Sequence, residues 1–147
     1  MTGIDYLTIS VGEHVNLTVR YSLAAQLLMR RRGIDPANIG QACAPTKTIP
    51  NPNMRLQSDP PTITVKNPDC IGNLVTVFSC CVAENFLDLK QPNRVDLNAA
   101  PTADYWATQI DDMGEIDKAV GAAMGKWSED RQRKLAAVPP IAESAAS

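Results

Sequence analysis

Two incompatible rhythms run through the N-terminal part of the chain. Val15, Leu17, Val19, Tyr21 and Leu23 alternate with polar neighbours, as the two faces of a strand do. Against this stand two helix-end signals. Ser10-Val11-Gly12-Glu13 fits a capping box, with Ser10 as N-cap and Glu13 reaching back to its amide. At the far end Arg30, Arg31 and Arg32 suit the carbonyl end of a helix, Gly33 offers a left-handed cap and Pro36 forbids continuation. The caps and the run Ala24-Ala25-Gln26-Leu27-Leu28-Met29 decide for one long helix over 11–32. On its wheel Leu17, Tyr21, Ala24, Leu28 and Met29 fill one face, and Val15, Val19, Leu23 and Leu27 form a second line at four-residue spacing. A surface helix needs only one apolar stripe. The second is explained either by burial between layers, the plainer reading, or by contact with a partner.

Residues 35–61 carry Pro36, Pro45, Pro50, Pro52, Pro60 and Pro61, which make an extended, stiff connector. Connections without secondary structure beyond roughly 12–15 residues are uncommon inside compact domains. The segment is therefore either an arm lying across a neighbouring subunit, with Pro45, Pro50 and Pro52 among its contacts, or a surface loop pinned by its prolines. Thr62-Ile-Thr-Val-Lys66 reads as a strand, and Asn67-Pro68-Asp69 with Gly72-Asn73 supplies turn chemistry. Residues 74–82, apolar on both faces, read as a second strand buried within the sheet, so that the two form a hairpin. Residues 86–89 suit a short strand or a helical turn, and 94–97 an edge strand.

After Pro101 the helical period returns. Thr102 is the expected N-cap, followed by Trp106, Ile110 and Met113, then Ile116, Val120, Met124 and Trp127. Gly114 is expected to separate two helices, and Gly121 with Gly125 to allow close backbone approach. The predicted fold is α+β: a long N-terminal helix packed on a small, mostly antiparallel sheet, with C-terminal helices. It forms a single domain over 1–137, with a flexible tail over 138–147.

Composition narrows the function. The 147 residues are 44% hydrophobic and 20% charged, enough for a core. A net charge of −2 lacks the basic excess of a nucleic-acid binder, which makes a nucleic-acid partner unexpected. No stretch approaches the roughly 20 apolar residues that span a bilayer, so no membrane partner is expected. Met1–Asp5 lack the basic start of a leader, which predicts synthesis in a cytoplasm. The sequon Asn16-Leu17-Thr18 is then chance.

The candidate chemistry is sparse. There is one histidine, His14, and four cysteines at 43, 70, 80 and 81, without Cys-x-x-Cys spacing. Neither a metal site nor a cofactor is predicted. Cys80 and Cys81 read as small buried hydrophobes on opposite faces of a strand, whereas Cys43 and Cys70 are the candidates for a disulfide. Asp111, Asp112, Glu115 and Asp117 suit a solvated helical face better than a cation site. Arg30–Arg32 suit a helix end or a phosphate.

These features point to a non-enzymatic structural or assembly subunit, a homo-oligomer or one component of a larger particle. Small bacteriophage virion proteins (neck, tail-completion or capsid-associated subunits) share this general look, though no motif carries the likeness, and incorporation into a virion would follow. The alternatives are a small enzyme or redox protein with a cysteine nucleophile, and a nucleic-acid-binding regulator using Arg30–Arg32.

Overall fold

A computed structural model describes residues 7–137. The tail expected over 138–147 and the segment Met1–Asp5 both lie outside the described residues. The fold is α+β, with two small antiparallel sheets and five α-helices among the described residues. The alternation in the N-terminal segment wins over the helix expected at 11–32. Strand β1 (Leu7–Val11) pairs with β2 (His14–Val19), with Leu7 opposite Val19 and Ile9 opposite Leu17. Val11, Leu17 and Val19 point into the core, while Thr8 and Ser10 face out. Two positions with positive φ rule out a continuous helix: Gly12 (58°) in the turn and Asn16 (56°) at a bulge in β2. Ser10 caps nothing; its hydroxyl accepts the Asn16 N–H at 3.3 Å.

The helix begins only at Ser22, whose Oγ accepts the Ala25 N–H at 3.2 Å. Helix α1 (Leu23–Arg31) buries Ala25, Leu28 and Met29. Its end is the one anticipated: Arg30 and Arg31 fill the last turn, Gly33 takes a φ of 88°, and the Ile34 N–H returns to the Met29 carbonyl at 2.9 Å.

The segment 35–61 contains helix α2 (Ile39–Ala42) and strand β3 (Thr46–Pro50). Strand β4 (Thr62–Lys66) stands where the sequence predicts it, but its partner is β3, with Thr46 opposite Lys66 and Pro50 opposite Thr62. The strand expected at 74–82 is instead helix α3 (Cys70–Cys81). Its second half, residues 77–81, is buried on every side, and periodicity does not separate such a segment from a buried strand. Cys80 and Cys81 are both buried on this helix. The edge strand expected at 94–97 is absent, its place taken by 3₁₀ turns at Pro92–Arg94 and Leu97–Ala99; a further turn, Ala83–Phe86, precedes them.

Helix α4 (Ala103–Ala107) starts after Thr102, and α5 (Met113–Ala137) is the longest helix, at the C-terminal rather than the N-terminal end. The break between them falls at 108–112, and Gly114 is the second residue of α5. Gly121 and Gly125 face open space, so they bring no backbones together.

Helix α3 is the centre of the molecule, with α1, α4 and α5 packed on it. Neither sheet serves as a platform. Trp106 of α4 is fully buried edge-on to Phe78 of α3, their ring centres 5.3 Å apart. The β1–β2 hairpin is sewn to the end of α3: the Arg20 N–H donates to the Cys81 carbonyl (2.9 Å), and Asn85 both accepts from Thr18 N (3.0 Å) and donates to Thr18 O (2.7 Å).

Candidate functional site: a protruding β-arm and its root

The β3–β4 ribbon packs chiefly on itself. Thr46, Lys47, Thr48, Thr62, Thr64 and Lys66 are exposed, and only Ile49, Ile63 and Val65 are half-buried along one face. Both strands are sheet edges and present unpaired backbone groups. The tip is an ordered loop. Asn51 donates from its amide and side chain to the carbonyls of Pro61 and Pro60, both at 2.9 Å. Asp59 accepts the N–H groups of Arg55 (2.8 Å) and Leu56 (2.9 Å), which hold its carboxyl below the usual range. Loop closure in this form leaves Met54 and Leu56 on the outside, Leu56 at 65% exposure. Pro45 stands at the foot of the arm, Pro50 at the end of β3 and Pro52 in the tip, all exposed.

The root is a polar knot around Asn67, which is 7% exposed. Its side-chain amide donates to the carbonyls of Ala42 (3.1 Å) and Ala44 (3.0 Å), and its backbone N–H donates to Pro45 O at 2.9 Å. Asn73, in the first turn of α3, donates to the same Ala42 carbonyl at 2.8 Å. These bonds tie both feet of the ribbon to α2 and α3. A cleft of about 340 Å³ opens beside the knot, lined by Ile34, Asp35, Asn38, Ala42, Lys47 and Asn67 among others. The Asn67 and Asn73 amides are already committed to backbone carbonyls there.

Cys43 caps the C-terminal end of α2, and Cys70 is the first residue of α3. Both are half-buried free thiols at the root, whereas Cys80 and Cys81 are buried. Burial pushes the Cys43 thiol up, reinforced by Asp117 and by Cys70. Burial also raises Cys80, opposed by the Arg32 charge, and raises Cys81 further. A nucleophile needs a depressed thiol pKa, and these three shifts run the other way.

The remaining interface candidates divide. Val19 is in the core, while Val15 on the N-terminal hairpin is 71% exposed. Leu23 and Leu27 lie one turn apart on the outer side of α1, at 64% and 46% exposure. They form no single stripe, because Val15 and Val19 belong to a strand.

His14 is a packing residue. Its Nε2 meets the Tyr105 hydroxyl at 2.5 Å, and its ring lies against Phe86, Tyr105 and Trp106. The same Tyr105 hydroxyl reaches Glu13 at 3.4 Å, so the turn of the hairpin is locked onto α4. Tyr105 is raised by desolvation and by the Glu13 charge. This aromatic knot was not legible in the sequence; its only signal was two aromatic residues in tandem at 105–106.

Of the arginine triplet, Arg30 and Arg31 are exposed, and Arg32 is taken up by internal hydrogen bonds. On α5, Arg133 pairs with Asp130, three residues before it on the same helical face, at 3.6 Å. Asp112 accepts the Gly114 N–H at 2.9 Å near the start of α5. Among the described residues no group of three or more His, Cys, Asp or Glu side chains is placed to hold a metal ion, and no helix is long and apolar enough to cross a membrane. No protein-family model matches the chain, and no curated protein or solved structure resembles it significantly.

Proposed function

We propose that this chain is a non-enzymatic structural subunit that assembles with copies of itself, or with other structural subunits of a larger particle, through the β3–β4 arm. One observation carries the proposal: a ribbon rooted by buried hydrogen bonds and packed chiefly on itself presents two unpaired strand edges, and its otherwise polar tip exposes two apolar side chains, Met54 and Leu56. An isolated two-stranded hairpin is at best marginally stable in water, and gains by pairing an edge or covering its apolar face. The exposed Leu23 and Leu27 on α1 offer a second apolar contact on the body. Neck, tail-completion and capsid-associated subunits of bacteriophage are the particle class we favour, since arms that order against neighbours suit such a particle.

Light scattering of the full chain across a concentration series tests the proposal, beside a Met54→Asp/Leu56→Asp variant. The expected result is a defined oligomer that the variant converts to a folded monomer. A wild-type chain that is monomeric at every concentration, or an oligomer indifferent to the tip, would overturn self-assembly through the arm.

A further inference from the structure

We infer that Cys43 and Cys70 are a thiol pair that a low-molecular-weight disulfide closes into an intrachain bridge across the root of the arm. The inference is independent of what the arm binds. Its basis is the way the root is tied. Asn67 and Asn73, three residues to either side of Cys70, both donate to the carbonyl of Ala42, the residue before Cys43. The ladder of the arm leads to the same place: Thr46 faces Lys66, and the next bond inward joins Asn67 N to Pro45 O. The two cysteines therefore bracket the ribbon on its two feet, at the junction of α2 and α3. They are close enough for a charge on Cys70 to raise the Cys43 thiol. Both are half-buried, so a small oxidant has access that it lacks at Cys80 and Cys81.

The chemistry is two thiol–disulfide exchanges. One cysteine thiolate attacks a sulfur of the oxidant, breaking its S–S bond, releasing one small thiolate and leaving a mixed disulfide on the protein. The other cysteine, deprotonated in turn, attacks the protein-side sulfur and displaces the second small thiolate. The protein loses two electrons and two protons, and the oxidant is reduced to two thiols. Closure needs the Cα atoms to lie within about 7 Å, the separation a disulfide spans.

Oxidised glutathione is the probe, applied to the native full chain at mildly alkaline pH. The products are denatured, alkylated and mapped by mass spectrometry without reduction. The expected result is a monomer whose four free thiols fall to two, free of glutathione, with the peptide holding Cys43 linked to the one holding Cys70. Cys43→Ser and Cys70→Ser should each abolish the link and leave glutathione on the surviving partner. The wild-type peptide map decides the matter even if a variant fails to fold. Two stable glutathione adducts without a link would overturn the inference, as would a disulfide-linked dimer or a link that survives either substitution.

Discussion

Arg32 and Ser79 join α1 to α3: Nη1 of the guanidinium donates to the Ser79 hydroxyl at 2.8 Å and to the Pro101 carbonyl at 3.0 Å, and Nη2 donates to the Ala100 carbonyl at 2.8 Å. Ser79 is fully buried, and its own hydroxyl donates a hydrogen bond to the Thr76 carbonyl at 2.6 Å. Arg32→Met removes the cation and leaves these acceptors unpaired, which should cost about 2–4 kcal/mol. Arg30→Ala and Arg31→Ala, at exposed positions, should each stay within about 0.5 kcal/mol. Urea denaturation of the three variants checks this; equal losses would show that Arg32 is no more structural than its neighbours.

Gly12 and Gly121 should respond to alanine with opposite signs. Gly12 holds a φ of 58°, and a methyl there would collide with the Gln109 side chain, whose Oε1 accepts the Glu13 N–H at 3.2 Å. Left-handed strain alone costs roughly 1–2 kcal/mol, so Gly12→Ala should destabilise by about 1–3 kcal/mol. Gly121 faces open space on α5, and Gly121→Ala should stabilise by about 0.5–1 kcal/mol. Thermal melts with the same sign for both would contradict the assignment of the Gly12 turn against Gln109.

Acid should loosen the tip of the arm late. The Arg55 and Leu56 N–H groups favour charged Asp59, so its folded pKa lies below the unfolded value. The contribution is therefore complete above the ordinary aspartate range, about 3.9, and is lost as pH falls through the lower folded value. Amide shifts of Arg55 and Leu56, followed by NMR against pH, should titrate with a midpoint below that of a free aspartate. They should not titrate in this way in Asp59→Asn. A midpoint at the ordinary value would mean that the loop does not hold the carboxylate.

The sequence carries the correct signal for β2 and a stronger-looking wrong one. Leu17 and Val19 alternate with Thr18 as the structure requires, but Ser10 and Glu13 imitate a capping box at a hairpin turn. The true cap, Ser22, sits within the same run and is itself buried, where its hydroxyl also donates to Glu84 at 3.0 Å. That tertiary partner lies far along the chain and leaves no local trace. Helix α3 looks like a strand in the sequence for a different reason: Val75, Val77 and Phe78 are β-formers by preference, yet packing against α1, α4 and α5 decides their conformation. The end of α1, by contrast, was legible, because Gly33 and the basic turn act within a few residues.

The arm itself was half legible. Thr62–Lys66 announces a strand, and the prolines at 50, 52, 60 and 61 announce interruptions, but the partner strand Thr46–Pro50 is too short and too proline-flanked to stand out. Asn67 looked like a turn residue; its buried side chain instead carries the root. The proximity of Cys43 and Cys70 follows from that root and from no spacing along the chain.

Because Asn67 donates to Pro45, the polypeptide leaves the helical body and re-enters it one strand spacing away, about 4.8 Å. For the folding of the body, the ribbon is a detour that ends where it began. Loop-closure entropy grows only with the logarithm of length, about 0.6 kcal/mol for each doubling. Residues added to or removed from β3 and β4 in opposed pairs would change how far the ribbon extends and leave the meeting of α2 with α3 untouched. Reach and architecture are thus separately heritable: mutation can lengthen the one without renegotiating the other.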